Sequence, residues 1–183
     1  MDNLTPMMKQ YMEIKNRNKD SILFFRLGDF YEMFFEDAKI ASRELEITLT
    51  QRDCGQDEKA PMCGVPHHVV DTYISRLVDK GYKVALCDQL EDPALAKGIV
   101  KRDVIKIITP GTITDSSLID DKSNNFLVSI YLDSLGTGIT YVDNSTGEMY
   151  TTEFLSDEDS CYRFIIDELG KTNPSEILCN NKF

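Results

Sequence analysis

The 183-residue sequence predicts an α/β protein with mixed sheets, built in two successive regions. Three observations lead there. Up to residue 109, helix-like and strand-like stretches follow one another in the order α-β-α-β-α-β-β, the pattern of a sheet with helices packed on it. Between 126 and 179, three short strands separated by turn residues precede a helix and one more strand, an antiparallel meander extended by an α-β unit. The polar stretch from Thr109 to Asn125 supplies turn residues without sustained periodicity, which suits a linker, and the charge changes across it. Residues 1–115 carry 16 basic and 19 acidic residues, net −3, whereas residues 116–183 carry 4 and 12, net −8. The expected organisation is a first domain at 1–115, a linker at 116–125 and a second region at 126–183.

Thr5-Pro6 opens the first helix, with Thr as N-cap and Pro at the first helical position, and Met7, Tyr11 and Ile14 follow at helical spacing. Residues 21–27 are short, aromatic-rich and closed by Gly28, a strand. From Asp29 a long helix is expected, because Phe30, Phe34 and Ala41 can share one face. Residues 47–52 alternate apolar and polar side chains as a second strand. A loop leads to Pro61-Met-Cys-Gly-Val-Pro66, after which Val69, Val70, Tyr73, Ile74, Leu77 and Val78 define an amphipathic helix stopped by Gly81. Strands at 82–88 and 102–109 complete this region. In the second region, strands at 126–133, 138–143 and 147–154 are followed by a helix over 157–169 with Gly170 as its stop, then a strand from Ser175. Such a set begins many α/β domains and completes few, so this region is expected to be the first part of a longer domain.

Composition excludes several classes. With 42% hydrophobic residues the chain folds, and its apolar runs are strand-sized, well short of the ~20 residues of a membrane span. Its first residues lack the basic and apolar segments of a secretory leader, so no membrane partner is expected. Five cysteines without a CxxC pair indicate reduced thiols and a cytoplasmic setting. A net charge of −11 by itself argues against nucleic acid, which ordinarily leaves a basic footprint.

Gly170-Lys171-Thr172 imitates the end of a phosphate loop, but the position five residues earlier is Ile165, inside a helix, so no ATP hydrolysis is expected of this chain. Cys63, His67 and His68 are close in sequence without a zinc spacing, and they read as a core thiol and two imidazoles at a helix start. Asp133 and Asp143 would be the carboxylates of a metal-dependent nuclease, yet both stand beside turns, where Asp serves the backbone. No catalytic residue and no metal site is assigned.

The informative segment is Phe24-Phe-Arg-Leu-Gly-Asp-Phe-Tyr-Glu-Met-Phe-Phe35, with six aromatic residues around a Gly-Asp junction. Phe24, Phe25, Tyr31 and Phe34 are expected in the core. Phe30, just past Gly28, is placed to project beyond the scaffold, and a rigidly held aromatic wedge is what a minor-groove protein needs to enter a base step. Glu32 stands two residues on, within reach of a base edge.

Six blocks, TPMMKQY, GDFYEMFFEDA, PMCGVPHH, CDQLEDPALAKG, KIITPGTITD and TNPSEIL, resemble in order and spacing the N-terminal portion of the bacterial MutS family of DNA mismatch-recognition proteins. The resemblance covers essentially the whole chain. It implies a mixed-sheet mismatch-recognition domain followed by the first part of a ribonuclease H-like α/β connector, noncatalytic in the family. It also implies that Phe30 stacks on a mispaired or unpaired base from the minor groove while Glu32 hydrogen-bonds that base. Arg52 and Arg102 match positions for backbone contacts, and Leu27 and Asp29 flank the wedge. By resemblance the implied partner is duplex DNA with mismatches or small loops. The full-length protein would be a homodimeric, DNA-dependent ATPase clamp using ATP and Mg in a region not present here, would reach downstream repair proteins through the connector, and would work in the bacterial cytosol at the nucleoid. The fragment itself needs no cofactor and is expected to hold DNA weakly.

A carboxylate beside phosphates is repelled, so Glu32 is expected to take a proton or to pair with a base donor when engaged. The rival from another class is an acidic protein-interaction module of a paralogue whose DNA contact is incidental. The first region's charge of only −3 removes the electrostatic objection to DNA.

Overall fold

The computed structural model describes residues 4–55, 59–96, 98–113 and 124–183. The chain forms two compact units, Met1–Ile108 and Thr109–Phe183. The expected linker at 116–125 lies, except for its last two residues, outside the described residues. No helix among the described residues is long and apolar enough to cross a membrane.

The first unit starts as its sequence dictates: in α1 (Pro6–Arg17) the Thr5 hydroxyl accepts the Met8 N–H at 3.4 Å and Pro6 fills a position whose N–H would be unpaired. There follow β1 (Ile22–Leu27), β2 (Phe30–Phe34), α2 (Phe35–Leu45), β3 (Thr50–Arg52), β4 (Ala60–Pro66), α3 (Val70–Val78), β5 (Val84–Gln89) and β6 (Arg102–Ile108). The six strands form one sheet in the order β3-β4-β2-β1-β5-β6, in which only β1 and β5 run parallel.

Several expectations are corrected. The helix expected from Asp29 begins only at Phe35, and residues 30–34 are strand β2, paired to β1 on one side and β4 on the other. Phe30 and Phe34, four apart, share a face in a strand as well as in a helix, so the spacing was degenerate. Pairing on both sides decides for the strand. The sequence marks no element at 60–66, yet these residues form strand β4, with Pro61 and Pro66 close to its ends, where a missing N–H is least costly. The strand expected at 47–52 shortens to its last three residues.

Alternation distributes β2 over two cores. Phe34, with Leu23, Phe25, Ala85 and Cys87, packs under Met8, Tyr11 and Ile14 of α1. Met33 is opposite Cys63, whose thiol donates to the Ala38 carbonyl of α2 at 3.4 Å, so the opposite face lies under α2 and α3. A buried carboxylate ties these layers together: Asp37 accepts the Leu23 N–H at 3.0 Å, the Lys15 ammonium at 2.9 Å and the Tyr11 hydroxyl at 3.4 Å.

The second unit holds β7 (Phe126–Leu132), β8 (Thr137–Asp143), β9 (Glu148–Phe154), α4 (Glu158–Thr172) and β10 (Glu176–Cys179), in sheet order β10-β7-β8-β9. Strand β10 is parallel to β7, as an α-helical crossover permits. Cys161 and Ile165 of α4 cover Val128, Ile130, Leu132 and Ile139. Helix α4 runs through Gly170, the expected stop, and ends instead at Asn173, which adopts the left-handed conformation at φ 43°. Residues 109–112, at the head of the turn-rich stretch, are docked within this unit. Glu176 Oε2 accepts from the Thr109 hydroxyl and from the Gly111 N–H at 3.1 Å, and Asn125 and Asn144 donate to the Pro110 and Gly111 carbonyls, each at 2.9 Å.

Candidate nucleic-acid interface

Gly28 and Asp29 are the two-residue connection of the β1–β2 hairpin, closed by the pair Leu27 and Phe30. Positive φ occurs at Gly28, 58°, and not at Asp29, the pattern of a type II′ turn whose twist matches the strands. Phe30 is therefore the first residue after a tight turn on a strand paired along both edges. It is 46% exposed, while Phe24, Phe25, Met33 and Phe34 around it are fully buried. The expected position, the first turn of a helix, is replaced by a stiffer one, because a hairpin tip flanked by β4 has little freedom to bend.

A second grip on the tip escaped the sequence reading. His67, following β4, directs both its backbone N–H (2.9 Å) and ring Nδ1 (3.1 Å) at the Asp29 carbonyl. Its partner lies 38 residues away, and only pairing between β2 and β4 brings them together. On the reverse face of the hairpin, the Tyr31 hydroxyl donates to Asp88 at 2.8 Å and the Arg26 guanidinium covers the Tyr31 ring at 5.3 Å. Burial, assisted by Asp88, pushes the Tyr31 phenol up to about 12. Arg26 Nε also donates to the Gly28 carbonyl at 2.5 Å, so this cation braces the turn.

Glu32 shares the Phe30 face of β2, two residues inward. Its carboxylate is mostly covered and meets Arg52 NH1. Arg102 also differs from a free surface cation. Its Nε donates to the Arg26 carbonyl at 2.6 Å, its NH1 to Gln10 at 3.1 Å and to the Val100 carbonyl at 2.9 Å, and its guanidinium lies 5.2 Å from the Phe25 ring centre. Burial lowers its pKa from the ordinary arginine value. Leu27 is half-buried opposite Phe30, and Asp29 is exposed at the turn. The structure thus gathers Leu27, Asp29, Phe30 and Glu32 on one hairpin and joins Arg52 to it, while Arg102 supports the β1 end of the same face.

The other candidates have local employment. Asp133 accepts the N–H groups of Leu135 and Gly136 at 2.8 and 3.2 Å, and Asp143 those of Asn125 and Ser145 at 3.0 and 2.9 Å, so both carboxylates shape turns. Burial pushes the Cys63 thiol up to about 12, so at neutral pH it is held as the protonated thiol. Among the described residues no group of three or more His, Cys, Asp or Glu side chains is arranged to hold a metal ion.

Two family models match the chain in succession. Residues 5–117 match the family model described as MutS domain I, and residues 125–183 match MutS domain II. The chain is 62% identical over 178 residues to the DNA mismatch repair protein MutS of Alkaliphilus oremlandii, an alignment covering 97% of this chain and 20% of that protein. It is 60% identical over 183 residues to the protein of the same name from Acetivibrio thermocellus, covering 100% of this chain and 21% of the relative. For that of Clostridioides difficile the identity is 58% over 181 residues, covering 99% and 18%. The chain spans about a fifth of the length of these curated relatives.

Proposed function

We infer, from the premise that this chain belongs to the MutS family, that its first unit recognises mismatched or looped duplex DNA by inserting Phe30 into the minor groove. The observation that carries the reading is the exposure of Phe30 on a braced hairpin tip whose aromatic neighbours are buried. Opening a base step costs a few kcal/mol, and least where the base is mispaired, so a wedge of fixed position converts weak stacking into selectivity without reading sequence. Glu32, on the same face, then takes the displaced base by a hydrogen bond, either to a base donor or through a proton of its own. Arg52 and Arg102 supply cationic support, with Leu27 and Asp29 lining the approach.

The second unit is the start of a noncatalytic connector, and the complete protein is a dimeric clamp whose grip on DNA and turnover of ATP with Mg reside in regions beyond these 183 residues. Downstream repair proteins meet it through the connector. The relatives' shared name and fivefold greater length support this reading. Titrating mismatched duplex into the labelled chain at low salt tests it, since nuclear magnetic resonance tolerates weak binding. Shift changes centred on residues 27–32, 52 and 102 are expected. Changes confined to 126–179 overturn it in favour of a protein-interaction module with incidental DNA contact.

A further inference from the structure

Resting on that reading, we propose that Arg52 determines specificity through Glu32: it neutralises the carboxylate in the DNA-free protein and yields it only to a base that brings a donor of its own. Strands β3 and β2 flank β4, and Arg52 and Glu32 join across it through Arg52 NH1 and Glu32 Oε2. The Glu32 side chain is 14% exposed and that of Arg52 38%, so the carboxylate is the sheltered partner and the guanidinium the outward one. Gly64 pairs with Glu32, and a Cβ there would stand 3.4 Å from Glu32 Cγ and 3.3 Å from the Tyr31 carbonyl, so a bare backbone at this point leaves the glutamate stem its place.

This arrangement answers the repulsion between a carboxylate and a phosphate backbone. What approaches the duplex is a neutral pair. In matched DNA the base donors are engaged with their partners, nothing replaces Arg52, and Glu32 stays where it is. At a mispaired or extra base a free donor takes the carboxylate. The released guanidinium, already the more exposed group, is then available for a phosphate oxygen. Requiring an exchange of partners penalises the wrong ligand as well as rewarding the right one.

The test is a double-mutant cycle in the full-length protein, with Glu32→Gln, Arg52→Gln and their combination titrated against a one-base-loop duplex and its matched control. Arg52→Gln is expected to weaken loop binding by about tenfold beside the native Glu32, and by no more than about threefold in the Glu32→Gln background, the non-additivity of a coupled pair. Arg52→Lys, which keeps the charge for this single contact, is expected to restore most of the loss. In the free 183-residue chain, Glu32→Gln is expected to shift the Arg52 side-chain resonances. Equal losses from Arg52→Gln in both backgrounds, or unmoved Arg52 resonances, overturn the proposal. Phe30→Ala in the same assay separates it from the underlying reading, because an unchanged preference for the loop in that variant defeats both.

Discussion

Replacing Phe30 by Ala separates a functional aromatic from a structural one. Full burial of a Phe side chain makes its truncation cost about 3–5 kcal/mol. Phe30 is 46% exposed, so about half of that penalty is absent. The expected loss of stability is about 2 kcal/mol, at about 4–8 °C in Tm for each kcal/mol in a unit of this size. On the proposed reading the ring also stacks on a base, which is worth about 1–3 kcal/mol, or about 5- to 150-fold in affinity for a looped duplex. Matched duplex gains nothing from the wedge, so its affinity is expected to stay nearly constant and the ratio to fall towards one. Fluorescence anisotropy with labelled looped and matched duplexes measures both affinities on the full-length protein, and circular dichroism of the chain checks the fold. Phe24→Ala is the contrast: Phe24 is 0% exposed, and its truncation is expected to cost the fold first. A folded Phe30→Ala protein with its preference intact would refute the wedge.

Three further outcomes are expected. Gly136→Ala places a Cβ 2.4 Å from the Phe154 carbonyl oxygen and 2.9 Å from Leu155 Cα, both backbone, so β8 and β9 must part and the second unit should lose about 1–3 kcal/mol in chemical denaturation; an unchanged midpoint contradicts that packing. Of the five cysteines only Cys179 is exposed, and burial pushes Cys63 and Cys87 up to about 12, so one thiol per native chain should react promptly at pH 8 and all five in denaturant; prompt reaction of Cys63 or Cys87 contradicts it. Burial alone would raise the Asp143 carboxyl, but hydrogen bonds from Ser145, Asn125 and Thr146 outweigh it and hold the folded value below the ordinary range. The unfolded chain therefore takes up this proton first, and the stabilisation present above about pH 4 is lost as pH falls through the lowered folded value. Asp143→Asn should flatten the acid limb of the stability profile, and an unaltered limb counts against the assignment.

Much of this molecule was legible because local rules and tertiary packing agree. The Thr5-Pro6 start, strand β1 closed by Gly28, the apolar stripe of α3 and the meander of the second unit each follow from spacing and caps that act within a few residues. Six ordered sequence blocks pointed to the family, and Phe30 and Glu32 were marked by their position in one of them. Tertiary structure decided what local periodicity leaves degenerate. Residues 30–34 are a strand because β1 and β4 supply hydrogen-bond partners on both edges, and β4 exists despite two prolines because they fall near its ends. The employment of charges was decided there too. Arg52 on Glu32, Arg102 on the Arg26 carbonyl and His67 on the Asp29 carbonyl are contacts between residues 20, 76 and 38 positions apart. Long side chains carry no record in the sequence of which distant group they will meet, because that depends on strand order. The candidate aromatic was therefore marked in the chain itself, while its rigid seat on a hairpin tip and the partner of Glu32 arose only when the sheet assembled around it.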